Sequence, residues 1–524
     1  MKQAILIVLI VIIAIGAFSI LAISLSPRKE MSTIVNELPN KPVILVVIDS
    51  LMSEPLQNAI QQNKAPALSF LINNGYFEPE VVSSYPTMSV TIDSTLLTGT
   101  YANEHKVPGL IWFKEDEKRM ISYGSGISEM WHNGLKNVAL DSVIHLNNEH
   151  LSHDVQTIYD WLAARNIPAA SINGLLYRGS SKHELHVPKL ISITNLLPEE
   201  ITTNGPALLS LGALAQYNPK NDRHKFAWQR LGINNDFTIA ELQYFIHQRQ
   251  LPPFTLAYLP DADAAIHKNG PSDIKAIEEA DESLQEMLNI YPTWQEAIQH
   301  ATWIILGDSG QSFVTKDKKT SLIDLNALLS SYSFWERKNT DKQIALAINE
   351  RMAYVYVNDQ NIELTEVVDT LKQDKRIHFI AWKEGQTNYV VSPETNQTFT
   401  FSPDGPNTDA YNQPWTIDGD EATLDVTIDN EGVIQYNDYP DALARLHGAL
   451  HSQEGRFIIV DAKPSYEFID THSHDHAGGG AHGSLHKIDS VVPLIVVGTE
   501  EKPVFTRLVD IKQWIMQLVD QPSS

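Results

Sequence analysis

The sequence predicts an α/β fold: a sandwich with a central, mostly parallel sheet flanked by helices, plus a smaller α+β or β-rich insertion. Two observations carry that expectation. Apolar, β-branched runs of strand length recur and end in aspartate or glycine, as strands buried on both faces of a covered sheet do. Between them lie stretches of helical periodicity, and this alternation builds strand-helix-strand units.

In chain order, the first run is "PVILVVIDS", which Pro42 opens and Asp49 ends. "PFTLAYLPDAD" follows, ending in Asp261 and Asp263, then "TWIILGD" ending in Asp308, "RFIIVDA" with Asp461, and "VVPLIVVG" near the C-terminus. Helical patterns cover 154–165, 273–289 and 511–519. Ligands of such sheets bind beyond the carboxyl ends of the strands. Asp49, Asp263 and Asp308 are therefore expected at one edge. Two stretches depart from the alternation. Residues 105–240 are polar and carry Trp and His, and residues 341–445 become turn-rich and acidic, which suits either a rim or lid around the site or passive decoration of the domain.

Composition narrows the chemistry. With 39 basic and 64 acidic residues the formal charge is −25, which disfavours nucleic acid as a main partner. An anionic substrate then needs local positive charge, and bound cations are the usual source. The chain has no cysteine, so disulfides, thiolate metal sites and cysteine nucleophiles are excluded.

Ala4 to Leu25 is uncharged, and about 20 apolar residues suffice to cross a bilayer. We read residues 1–28 as an N-terminal membrane anchor, with a cleaved signal peptide as the alternative. Residues 29–40 form a linker. A single-pass protein of the cell membrane with its bulk extracytoplasmic is expected, or a secreted one if the segment is removed.

Five of the 19 histidines fall between His472 and His486, in "THSHDHAGGGAHGSLH". Neutral imidazole binds metal, but for His472, His474 and His476 a solvated loop explains the pattern equally well. His482 differs, because flanking glycines let the backbone approach an ion closely. Asp263 and His267 are four apart, so one helical turn puts both on one face. "SSYPTMSVTIDSTLLTG" places hydroxyls where a helix begins, a position that serves as a cap or as a phosphate site. Gly307-Asp308-Ser309-Gly310 matches the tetrapeptide around a serine protease nucleophile. That chemistry requires a base and an orienting acid with their own surroundings, and no histidine segment of that type is present.

Taken in order, "VVIDS", "PTMSVTIDSTLLTG", "YLPDADAAIHKNGP", "IILGDSGQ" and "GGGAHGSLH" resemble the alkaline phosphatase superfamily, in its type I phosphodiesterase/nucleotide pyrophosphatase branch. The resemblance implies an alkaline phosphatase-like sandwich in which 41–340 and 446–524 form the catalytic domain and 341–445 an insertion or cap. It further implies a hydrolase of phosphate esters, phosphodiesterase or phosphatase, with two divalent metal ions. Asp49, Ser89, Asp308 and Ser309 correspond to one metal position, for Zn²⁺, Mn²⁺ or Mg²⁺. Asp263, His267 and His482 correspond to the other, for Zn²⁺. The family nucleophile lies ten residues before the glycine of "LLTG", which selects Ser89 over its neighbours Thr87 and Thr91, with a phosphoseryl intermediate.

The chain departs from the family twice. Ser309 stands where the family has a metal-binding histidine, which favours a harder ion there. Ile92 stands where nucleotide pyrophosphatases have an asparagine on a phosphate oxygen, leaving monoesterase and diesterase both open. These departures also permit a second reading, a catalytically degenerate module of the same fold that binds or assembles at the cell surface. The resemblance disfavours a sulfatase, since "SVTID" lacks the Pro and Arg of the sulfatase block.

Overall fold

The computed structural model describes residues 41–395 and 397–520. The segment read as an anchor or signal, and the 29–40 linker, lie outside these residues. Among the described residues no helix is long and apolar enough to cross a membrane.

Seven strands form the central sheet: β1 (Val43–Ile48), β2 (Tyr76–Val82), β3 (Ala169–Ile172), β4 (Leu208–Ser210), β5 (Phe254–Leu259), β6 (Thr302–Gly307) and β7 (Val491–Val497). Their spatial order is β2-β7-β6-β1-β5-β3-β4. From β6 to β4 all neighbours are parallel. Strand β1 explains the architecture by itself. Its residues alternate between two cores: Ile44, Val46 and Ile48 pack with the helices 53–61, 66–73 and 274–288 on one face. Val43, Leu45 and Val47 pack with 89–98 and 508–520 on the other. An unbroken apolar strand is what a sheet covered on both sides requires.

Two strands depart from the parallel pattern expected of them. Val491–Val497 runs antiparallel to β6, because the chain re-enters the sheet at the end where β1 and β6 finish, directly after the loop that carries His482. Phe457–Ala462 is not in the central sheet. It lies between Met352–Val357 and Ile377–Glu384 in a second, almost wholly antiparallel sheet of nine strands. Apolar clusters cover both faces of that sheet as well, so its inner strands have the same composition as those of the central sheet. Residues 105–240 hold the short strands β3 and β4 together with two hairpins, 111–122 and 181–205.

Helix α1 (Ser89–Thr98) begins at the site and ends at Gly99, whose φ of 67° continues no helix. Its interior is fixed by a chain of neutral hydrogen bonds. His105 is fully buried; its Nδ1 accepts from the Val107 amide at 3.1 Å and its Nε2 lies 3.2 Å from Thr95 Oγ1. Burial holds this imidazole down, to about 3. A histidine depressed in this way contributes stability that is complete above its ordinary pKa near 6.5 and is lost as pH falls toward the folded value. Replacing it by His105→Gln should remove about 1.4 kcal/mol per pH unit from the slope of unfolding free energy between roughly pH 6 and pH 4. Urea titrations of both proteins across that range would measure it, and parallel slopes would refute it.

Candidate active site

Strand register sets the site. Ile48 lies opposite both Leu259 and Gly307, so Asp49 and Asp308 leave neighbouring strands side by side. Just beyond β5, helix α2 (Asp261–Asn269) raises Asp263 and His267 on one face, one turn apart.

All three carboxylates are crowded. Asp49 is buried; its Oδ2 accepts from the Tyr258 hydroxyl at 2.5 Å, while its Oδ1 has no hydrogen-bond partner among the described residues. Asp308 Oδ1 accepts from the amides of Ser50 at 2.8 Å and Ser309 at 2.6 Å, and its Oδ2 is equally unpartnered. Ser50, at a φ of 61°, donates its hydroxyl to Asp263 Oδ1 at 2.8 Å. Gln311 Nε2 donates to Ser50 Oγ at 2.9 Å and to Asp263 Oδ1 at 2.8 Å. Burial, and then the charges of Asp308 and Asp263, push Asp49 well above the usual carboxylate range. Burial raises Asp308 too. Asp93, one turn after Ser89, is driven up by burial and by Asp308.

Asp263 goes the other way. Burial opposes its ionised form, but His267 and His482 outweigh that and hold it below the usual range. Although burial lowers His267, Asp263 and Glu350 raise the imidazole to about 10. Asp263, His267 and His482 each offer a ligand atom within 4.8 Å of the others. Backbone carbonyls fix both rings: His267 Nδ1 lies 2.8 Å from Gly480 O, and His482 Nδ1 bonds to Thr87 O. Each ring therefore turns its Nε2 toward Asp263 Oδ1, at 3.1 Å for His267 and 3.8 Å for His482. A backbone-oriented imidazole is the usual support of a metal ligand. Buried, orphaned carboxylate oxygens beside such a triad are a donor set that fits divalent cations.

Ser89 is the first residue of α1 and lines, with Asp263, His267 and His482, a cavity of about 800 Å³. Its neighbours are otherwise engaged. Thr87 accepts from the Gly483 amide at 2.7 Å and holds His482 through its carbonyl. Thr91 is completely buried within the helix. Ile92 belongs to the core below α1. Ser309 is buried too, its Oγ 3.5 Å from Ser50 Oγ.

The loop histidines separate. His476 joins His267 and Glu350 in a second cluster of potential ligands, and His474 lines the cavity. His472 instead stacks on His132, with 3.7 Å between rings, at the edge of another cavity. Gly479 permits the loop its path, because a Cβ there would meet the His267 carbonyl at 1.9 Å. The cavity rim draws Tyr123 and Glu129 from 105–240 and Ile348 and Asn349 from the second sheet. Sequence reading passed over Ser50, Tyr258, Gln311 and Glu350. Ser50 and Gln311 flank residues already singled out and could have been suspected. Glu350 carried no signal at all, since it is a single acid in a hairpin turn.

The sequence model of the type I phosphodiesterase / nucleotide pyrophosphatase family matches residues 43–485. No protein of curated function matches by sequence. Among solved structures, murine ectonucleotide pyrophosphatase/phosphodiesterase 5 aligns with a TM-score of 0.55 and 12% identity, covering 92% of this chain and 96% of that one. The human protein aligns with a TM-score of 0.56 and 14% identity over the same shares. An inactive variant of the murine protein in complex with AMP aligns with a TM-score of 0.55 and 11% identity, over 93% and 96%.

The crowded carboxylates predict opposite effects of one substitution. In chelated protein, Asp308→Asn should raise the melting temperature, because a like charge is removed from a buried cluster. Saturating Zn²⁺ or Mn²⁺ should stabilise the wild type by about 2.7 kcal/mol at a hundredfold excess over Kd, and the variant by less. Calorimetry with and without metal decides; equal metal stabilisation of the two proteins would contradict the assignment.

Proposed function

The chain belongs to the type I phosphodiesterase / nucleotide pyrophosphatase family and is a phosphoric ester hydrolase; from that premise we propose that Ser89 is its nucleophile and that it works outside the cytoplasm. The observation that carries the first part is the position of Ser89. Of the three hydroxyls in "PTMSVT" it is the one that lines the cavity beside Asp263, His267 and His482.

Two divalent ions fit the donors present, one on Asp49, Asp308 and Ser309 with Ser89 itself, the other on Asp263, His267 and His482. When bound, they would depress the serine pKa and neutralise charge on the ester oxygens. The remaining work falls to the chain. Ser89 Oγ attacks phosphorus as its proton passes to solvent, the bond from phosphorus to the leaving oxygen breaks, that oxygen takes a proton from water and departs as the alcohol, and a phosphoseryl enzyme results. Water then attacks the same phosphorus from the vacated side and gives a proton to solvent while the bond from phosphorus to Ser89 Oγ breaks and Oγ is reprotonated, releasing phosphate from a monoester or a phosphate monoester from a diester. A phosphoryl group on Ser89 would sit at the N-terminus of α1, where a helix favours an anion. Ser50 and Gln311 hold Asp263 in place through both steps.

The carboxylate-rich position, without an imidazole at residue 309, suits Mg²⁺ or Mn²⁺ as well as Zn²⁺; the two-histidine position suits Zn²⁺. Because the murine relative's inactive variant binds AMP, nucleotide esters are the first substrates to test, as both monoesters and diesters. Residues 4–25 would tether the enzyme to the membrane.

With the purified full chain and aryl phosphate or nucleotide esters, Ser89→Ala should lower kcat by at least about a thousandfold. Melting temperature should be unaffected. Turnover by the folded alanine variant at the wild-type rate would reject Ser89.

A further inference from the structure

We propose that Glu350 is a fourth protein ligand of the ion held by Asp263, His267 and His482, a carboxylate outside the ligand set that the family resemblance supplies. It comes from the second sheet, at the turn between the strands Ile344–Asn349 and Met352–Val357.

The geometry is specific. Glu350 takes a left-handed backbone conformation, φ 58°, and its own carbonyl accepts from the Phe468 amide at 2.8 Å. Its carboxylate is aimed by the His482 amide, which donates to Oε2 at 2.9 Å. That leaves Oε1 facing the imidazoles, 3.8 Å from His267 Nε2 and 4.0 Å from His482 Nε2. Since carbonyls occupy Nδ1 of both rings, these Nε2 atoms are the nitrogens available to a metal. Asp263 Oδ1 approaches the same two nitrogens from its own side, at 3.1 and 3.8 Å. Ligands sharing one zinc at bond lengths of about 2.1 Å stand roughly 3.4 Å apart in a tetrahedron. Two carboxylates thus face one pair of imidazole nitrogens at close to the required spacing, though they belong to two adjoining clusters that share His267, so Glu350 Oε1 would close toward Asp263 when the ion binds.

His267, Glu350 and His476 also form a cluster of ligand atoms within 4.8 Å of one another. His476 is itself held by the buried Glu467, 2.6 Å from its Nδ1. Glu350 therefore sits inside a supported cluster of imidazoles and not at a free surface.

Two carboxylates and two neutral imidazoles balance a divalent charge completely. This half of the site should hold its ion tightly, while the half that lacks an imidazole at residue 309 should lose its ion readily. Four protein donors also fill a tetrahedral shell that hydrolytic sites usually leave open. Glu350 must therefore yield its place, or the shell must expand, when an ester oxygen arrives.

The inference rests on the proposed reading of Asp263, His267 and His482 as a metal set, and cobalt(II) titration of the chelated full chain tests the two separately. Wild type should retain one ion after dialysis, by elemental analysis. Glu350→Gln should bind cobalt on the order of 10- to 100-fold more weakly, with a visible spectrum changed in the way a lost ligand changes it. Glu350→Asp, which keeps the charge but withdraws the oxygen, should fall between and serves if the glutamine variant does not fold. Wild-type affinity and spectrum in a folded glutamine variant would overturn the role of Glu350 alone. Binding that survives His267→Ala would overturn the metal set beneath it.

Discussion

The register of three parallel strands imposes the constraint on which the rest depends. Because β1 sits between β5 and β6 with Ile48 level with Leu259 and Gly307, the next acidic residues have no room to diverge. Burying like charges this close is unfavourable without compensation. The chain supplies only part of it: a tyrosine hydroxyl for Asp49, two amides for Asp308, and for Asp263 a serine, a glutamine and the imidazoles of His267 and His482. The oxygens left over, Asp49 Oδ1 and Asp308 Oδ2, are those a cation would satisfy. The cost of burying these charges at the sheet edge is one that a bound cation would offset.

The second sheet serves the same edge from the opposite side. His482 lies on a loop that would be mobile if it hung from the central sheet alone. The loop is instead gripped between the sheets. Asp461, the penultimate residue of the strand Phe457–Ala462, accepts from Ser484 Oγ at 2.6 Å and the Leu485 amide at 2.9 Å. The Arg351 amide donates to His482 O at 2.9 Å, and its guanidinium pairs with the buried Asp489. Arg445 donates to Ser84 O at 2.8 Å and to Leu485 O at 3.1 Å. These contacts join the strand that precedes α1 to the loop that carries His482, so Ser89 and His482 are positioned against each other by one buried polar network. Within it Arg445 Nε is buried without a hydrogen-bond partner among the described residues, while the guanidinium's other nitrogens are bonded.

Strand-end aspartates were legible in the sequence because a buried parallel strand advertises itself by composition, and the residue that breaks its apolar run marks the edge. For the same reason the reading erred over Phe457–Ala462. Burial on both faces gives one signature whichever sheet supplies the cover, and sheet membership depends on long-range pairing that local pattern does not encode. The four-residue spacing of Asp263 and His267 carried directly into one face of α2. The histidines of 472–476 could not be sorted in advance, because their difference lies in what each ring meets: Glu467 for His476, His132 for His472. β3 and β4 were lost for want of length, at four and three residues.

The substitution at residue 309 can be followed through to its electrostatic effect. An imidazole there would bring a ligand nitrogen to the Asp49 and Asp308 pair. Ser309 brings a hydroxyl 3.5 Å from Ser50 Oγ, which extends the row of neutral donors formed by Ser50 and Gln311. That row interacts chiefly with Asp263 Oδ1 and with Asp308 Oδ1 through backbone amides, and leaves the two orphaned oxygens pointing elsewhere. Read as a half-site, this position would be anionic with oxygen donors alone, the environment in which hard divalent ions compete best. In a chain of net charge −25 the cavity offers an anionic ester little positive charge of its own, chiefly Lys268 and His267, so bound cations would add most of the attraction. On the proposed two-ion reading, binding of the ester and retention of the ion at Asp49 and Asp308 would become one equilibrium, each strengthening the hold on the other.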